Sequence, residues 1–184
     1  NWDLQRPGPD PKYLHNALEI IKSAKKPIII GGLGAIKSKA KESIVKLADK
    51  IGALLATTLP ARGLFEDHDF SLNVAGGFSS DIARECFQQS DLIIAVGTSL
   101  ASHAADAGKL YPNAKVMHID LEPKPINHGR VASHCWVQGD ALTTINQILE
   151  TINNNQNYKE LKTHQDWRSD KLKDAINNLP EDKE

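Results

Sequence analysis

Three short apolar runs constrain this chain more than anything else in it. "PIIIG" (27–31), "DLIIAVG" (91–97) and "AKVMHIDLEP" (114–123) are rich in β-branched side chains, too short for helices, and closed by glycine or proline. They lack the polar–apolar alternation of a strand with one wet face. Strands that read as continuous apolar runs are buried on both sides, as in a parallel sheet covered above and below by its own crossover helices.

The intervening segments carry the complementary signal. Leu14, Ala17, Leu18 and Ile21 fall at helical spacing after Pro11, with Asp10 placed to cap. From Ser38 the stripe Ala40, Ile44, Leu47, Ala48 and Ile51 recurs every three or four residues, and Gly52 stands where a helix commonly ends. Ile82, Ala83, Cys86 and Phe87 predict a helix capped by Ser79 or Ser80, and Leu142, Ile145, Ile148, Leu149 and Ile152 a closing helix capped by Asp140. Leu54 to Thr58, "SLNVAGG" (71–77) and "HCWVQGD" (134–140) supply further strands, and the polar, charged segment that follows "NNNQN" (153–157) and runs to Lys173 predicts a peripheral helix. The alternation of short buried strands with amphipathic helices specifies a three-layer, doubly wound α/β sheet, because right-handed crossovers place helices on both faces.

Composition narrows the function classes. With 184 residues, 40% apolar, 24% charged and a net charge of −1, the chain is ordinary globular material with no basic patch for nucleic acid. No apolar run approaches the roughly 20 residues needed to cross a bilayer, so a cytoplasmic protein without a membrane partner is expected. Cys86 and Cys135 have no metal-ligand spacing and read as buried thiols; the seven histidines show none either, with His128 and His134 as chance surface and strand-edge residues. There is no G-x-S-x-G elbow, no C-x-x-C pair and no carboxylate dyad. The loop-like ends "NWDLQRPGPDP" and "NNLPEDKE" read as linkers cut from something longer, or as the loose termini of a complete small protein.

In doubly wound sheets ligands bind beyond the carboxyl ends of the strands, here "GGLGA", "TTLPARG", "GGFSS", "GTSLASH", "DLEP" and "GD". The first has the logic of a phosphate loop, but a full dinucleotide fingerprint needs a third glycine and an acid ending the next strand. Gly32-Leu33-Gly34 is followed by Lys37, and the next strand ends in Thr57-Thr58. No Gly-Lys-Ser/Thr completes a P-loop either. Two readings stay open: a nucleotide cradle, or a tight strand-to-helix turn whose glycines serve close packing. Lys37, Lys39 and Lys41 oppose a helix dipole unless an anion is present or they are simply solvated. The hydroxyls of "GTSLASHAAD" suit phosphate or ribose, Asp120 could accept from ribose or adenine, and Arg62 could hold a phosphate through two parallel bonds or lie solvated.

Taken in order, "KPIIIGGLGA", "ALLATTLPARGLFEDH", "NVAGG", "SDLIIAVGTSL", "AKVMHIDLEP" and "GDA" resemble the central domain of thiamine diphosphate-dependent enzymes, the group of acetolactate synthase, pyruvate oxidase and benzoylformate decarboxylase. The resemblance implies a six-stranded parallel sheet of the sirtuin-like (DHS-like) type over residues 12–152. Residues 1–11 would then be a linker from a preceding pyrimidine-binding domain, and 153–184 a linker and peripheral helix toward a following diphosphate-binding domain. It implies a parent homodimer or homotetramer acting on 2-keto acids, with thiamine diphosphate and magnesium held by the outer domains and the isolated segment inactive. Gly139-Asp140-Ala141 lacks the rest of the family's magnesium motif, and no activating glutamate can be assigned. Central domains of the family bind FAD in some members and not in others. By position Gly31, Gly32, Thr58, Leu59, Gly76, Gly77, Gly97, Ser99, Asp120 and Asp140 would line that crevice. "GTSLASH" lacks the arginine and aspartate that FAD-binding members carry there. Two alternatives remain: a ligand-free module that holds two outer domains in register, and an autonomous NAD-binding module or sirtuin-like deacylase. "VGTSL" resembles the sirtuin nucleotide loop, but the sirtuin histidine in its zinc-containing insertion and the Q-N-I-D strand end are missing.

Overall fold

The computed structural model describes residues 5–99, 109–123, 126–127, 130–131, 133–159, 161 and 166–179. The elements are α1 (Pro11–Ser23), β1 (Pro27–Gly31), α2 (Leu33–Lys37), α3 (Lys41–Ile51), β2 (Leu54–Thr57), β3 (Ser71–Val74), α4 (Asp81–Gln89), β4 (Leu92–Val96) and β5 (Lys115–Asp120). After the two-residue strands β6 (Ile126–Asn127) and β7 (Arg130–Val131) come β8 (Cys135–Gln138), α5 (Ala141–Asn154) and α6 (Asp170–Asn177). Six strands form one all-parallel sheet in the order β3-β2-β1-β4-β5-β8, and β6 pairs with β7 in a small antiparallel ladder.

Every residue of β1, β2 and β4 is buried, as continuous apolar runs demand. Side-chain alternation then divides the core in two. Ile29, Leu55, Ile94, Met117 and Val137 face one layer with α1, α3 and α5, while Ile28, Leu54, Ile93 and Val116 face the other with Ala83, Cys86 and Phe87 of α4. The expected caps are in place. Asp10 accepts from Lys12 N at 2.8 Å, Ser80 from Ala83 N at 3.1 Å and Asp140 from Thr143 N at 3.0 Å, and Gly52 ends α3 at φ 70°.

One helix expectation is corrected. Between β1 and β2 there are two helices rather than one starting at Ser38, because Lys39 sits at φ 59°, a left-handed conformation that a right-handed helix cannot continue through. At the other end the described helix is Asp170–Asn177, which runs past Lys173 and has no buried residue, while Tyr158 and Trp167 ahead of it are buried. That stretch is mostly polar, so a periodicity search could not see that its few aromatic residues are the ones that pack. Both thiols are free and buried, as expected. Among the described residues no helix is long and apolar enough to cross a membrane.

Candidate functional site

The strand order reverses between β1 and β4, so the loops leaving these two strands define the place where a doubly wound sheet opens a crevice. Here they do not part; they lock together. Gly32 N donates to the Val96 carbonyl at 2.9 Å, and Gly34 N to the Gly97 carbonyl at 2.9 Å. A Cβ on Gly34 would lie 2.7 Å from Gly97 Cα, one on Gly97 would lie 2.6 Å from the Gly34 carbonyl carbon, and one on Gly32 would strike the Gly97 carbonyl oxygen. Gly97 is also left-handed, at φ 61°. The glycines permit one loop to approach the other, so of the two readings left open it is close packing that the geometry supports.

The remaining expected rim residues are distributed as follows. Gly31 packs against Leu64 and Phe65, leaving a Cβ only about 3 Å of room, and its carbonyl accepts from Thr58 N at 3.0 Å. Leu59 opens the 3-10 turn Leu59–Ala61 and is half exposed, and Arg62, also exposed, follows that turn. Gly76 is left-handed at φ 97°, whereas a Cβ on Gly77 would meet nothing within 4 Å. Their loop is held by Arg84, whose Nη2 and Nε donate to the Gly77 and Ser79 carbonyls at 3.2 Å each. Ser99 is exposed. Both carboxylates already have partners: Asp120 Oδ1 accepts from Glu122 N at 3.0 Å, and Asp140 Oδ2 accepts from Thr143 N and Oγ1 while Arg6 lies 3.5 Å away. Residues 100–108, which hold the rest of "GTSLASHAAD", and His128 lie outside the described residues.

His118, one of the seven histidines without ligand spacing, shapes this rim. It is fully buried near the carboxyl end of β5, and its Nε2 lies 2.8 Å from the Thr98 carbonyl. A carbonyl only accepts, so Nε2 carries the proton and ties the turn after β4 to β5. Asp120 Oδ2 lies 3.9 Å from the same nitrogen. The available signal was a lone imidazole inside the apolar run "VMHID", where a buried polar group needs a partner. His134 is exposed and its Nδ1 accepts from Val116 N at 3.0 Å, a strand-edge contact as expected. Neither thiol is set up as a nucleophile: burial, then the charge of Glu85, pushes Cys86 up to about 11, and burial outweighs the Asn16 hydrogen bond to raise Cys135.

In the described part of the rim, Gly32, Gly34 and Gly97 contact the opposing loop rather than forming an open cradle for the pyrophosphate of a flavin dinucleotide, and Asp120 and Asp140 each accept in a local turn or a helix cap. Among the described residues there is also no cluster of His, Cys, Asp and Glu able to hold a metal ion. What the carboxyl rim does present is apolar surface: Leu33, Ile36, Leu59, Phe78 (75% exposed) and Leu121 are all left in solvent there.

Comparison with known proteins agrees with this architecture. Residues 14–148 match the family described as thiamine pyrophosphate enzyme, central domain, thiamine pyrophosphate being thiamine diphosphate. The acetolactate synthase large subunit of Buchnera aphidicola subsp. Schlechtendalia chinensis is 30% identical over 172 residues, covering 90% of this chain and 30% of that protein. A probable acetolactate synthase large subunit of Methanococcus aeolicus is 30% identical over 144 residues, and an acetolactate synthase of Mycobacterium bovis 34% identical over 148; each alignment covers 24% of the relative. The chain thus spans less than a third of the length of these curated relatives. With a match across most of its length and a three-layer, six-stranded parallel sheet of the DHS-like type, the chain belongs to the thiamine pyrophosphate enzyme central domain family.

Proposed function

We propose that this chain is the central domain of a larger thiamine diphosphate-dependent enzyme acting on 2-keto acids by carboligation or decarboxylation. In this reading it performs no chemistry alone and binds neither thiamine diphosphate nor FAD. Its role is to hold a pyrimidine-binding domain and a diphosphate-binding domain in register within a homodimer or homotetramer. The observation that carries the reading is the family match over 14–148 in a chain that aligns to only 24–30% of much longer acetolactate synthases. Two features of the site support it. The loops at the strand-order reversal are packed on each other, and the carboxyl rim exposes apolar side chains of the kind that mark contact with another body rather than with water.

The test is calorimetric titration of the purified chain with thiamine diphosphate plus magnesium, and separately with FAD. No heat of binding is expected at millimolar ligand. Micromolar, magnesium-dependent binding of thiamine diphosphate would overturn the non-catalytic reading. A yellow protein as purified, or a melting temperature that climbs with added FAD, would overturn the empty-crevice reading while leaving the family membership untouched.

A further inference from the structure

Among the described residues, the crossovers cover the second face of the sheet thinly beside β2 and β3. The connection from β2 to β3 contains a 3-10 turn, Leu59–Ala61, and no α-helix; α4 brings Ala83, Cys86 and Phe87 to the buried cluster, and the residues ahead of β5 bring Leu110, Tyr111 and Ala114. Ile28 and Leu54, paired across β1 and β2 near their amino-terminal ends, need another cover, since a parallel sheet is buried on both faces. Residues 166–179 supply it. Trp167 is buried in the same cluster as Ile28 and Leu54, and Leu172 and Ile176 of α6 pack against its margin.

The attachment is made at the sheet's amino-terminal edge. Trp167 Nε1 donates to the Pro27 carbonyl at 2.9 Å, and Lys26 Nζ sits 5.7 Å from its ring centroid. Arg168 donates through Nε to the Ala53 carbonyl at 3.0 Å and through Nη1 to Asp49 Oδ1 at 2.8 Å, with its guanidinium 5.0 Å from the Phe70 ring centroid. Ser169 caps α6, and Lys173 pairs with Asp69 at 2.6 Å. Beyond the two anchors, α6 holds by the partial burial of Leu172 and Ile176 and by the Lys173–Asp69 pair, with no buried residue of its own. None of these contacts belongs to a strand ladder, so breaking them leaves the sheet's hydrogen bonds intact.

We propose that residues 166–179 are a docking strap. The strap seats through Trp167 and Arg168 in a receptor groove at the amino-terminal ends of β1 and β2, closes the second face, and releases from that groove while the first face stays folded. The groove is therefore a recognition site for an amphipathic segment carrying an adjacent Trp-Arg pair, and its occupant here is the chain's own strap. The groove lies at the end of the sheet opposite the carboxyl rim and the strap lies beyond residues 14–148, so the proposal stands or falls independently of the cofactor reading.

Hydrogen exchange read by mass spectrometry on the full chain tests this. In Trp167→Ala, peptides covering 166–179 and the β2–β3 region should exchange at least tenfold faster than wild type, while α1, α3 and α5 keep their protection. A synthetic peptide of residues 161–179 added in excess should restore protection in β2–β3, and the same peptide carrying Trp167→Ala should not. Uniform loss over both faces overturns the proposal, as does unchanged exchange in the strap or failure of the peptide to restore anything. If Trp167→Ala does not fold, Arg168→Ala, which keeps the buried indole, gives the same comparison with the same outcomes.

Discussion

Gly97→Ala puts the loop-on-loop reading of the rim at risk. The new methyl group would lie 2.6 Å from the Gly34 carbonyl carbon and 2.7 Å from Gly34 Cα, both backbone atoms that no side-chain rotation can move. Overpacking of this kind costs about 1–3 kcal/mol. The residue would also hold φ near 61°, where a Cβ costs about 1–2 kcal/mol. If the loop retreats to make room, the bond from Gly34 N to the Gly97 carbonyl weakens, worth about 1 kcal/mol. The expected loss is roughly 3–6 kcal/mol, or about 6–24 °C in melting temperature at ~2–4 °C per kcal/mol. Gly77→Ala is the matched control on the same rim. Open space surrounds that position, so its effect should stay within about 0.5 kcal/mol. Urea midpoints with a common m-value measure both. The reasoning is refuted if Gly97→Ala falls within about 0.5 kcal/mol of wild type, or if Gly77→Ala is as damaging. Gly32→Ala and Gly97→Ala should combine to less than their sum, because either one already forces the same two loops apart.

Other residues give independent checks. Asp140→Ala should cost about 1–2 kcal/mol by uncapping α5, with Asp140→Asn recovering most of it; equal melts for the two variants would mean the cap is not what Asp140 provides. Partial burial raises Asp49, but hydrogen bonds from Arg168 and His68 outweigh that and leave its carboxyl below the ordinary range. Its folded pKa being depressed, its contribution is present above the unfolded value of about 4 and is lost as pH falls through the folded one. Urea midpoints between pH 6 and pH 3 should therefore fall less in Asp49→Asn than in wild type, and parallel curves would sink the assignment; because Asp49 is half exposed, the difference should be small. Cys86 and Cys135 should resist Ellman's reagent at pH 8 in the folded protein and react once it is unfolded, since burial raises both thiols. Rapid reaction without denaturant would contradict their placement.

Much of the fold was legible because its signals are local. A run such as Ile28–Ile30 carries its own two-sided burial, and Asp10, Ser80 and Asp140 cap helices through bonds two or three residues away. The break at Lys39 was not legible, because no preference of lysine predicts a left-handed backbone. The cover over the second face was equally hidden. Trp167 lies in a polar stretch without periodicity, and its partner, the Pro27 carbonyl, is 140 positions away in the chain.

The candidate site divides along the same line. Which residues reach the carboxyl rim follows from the sequence alone, since each strand announces where it stops and all strands of a crossover-linked sheet point the same way. Whether the glycines there face a ligand or each other could not be read from "GGLG" and "VGTS". That depended on β1 and β4, 65 residues apart at Pro27 and Leu92, becoming sheet neighbours in register. A glycine's value lies in the space beside it, and only the tertiary structure decides what fills that space: in this protein, the backbone of the opposing loop.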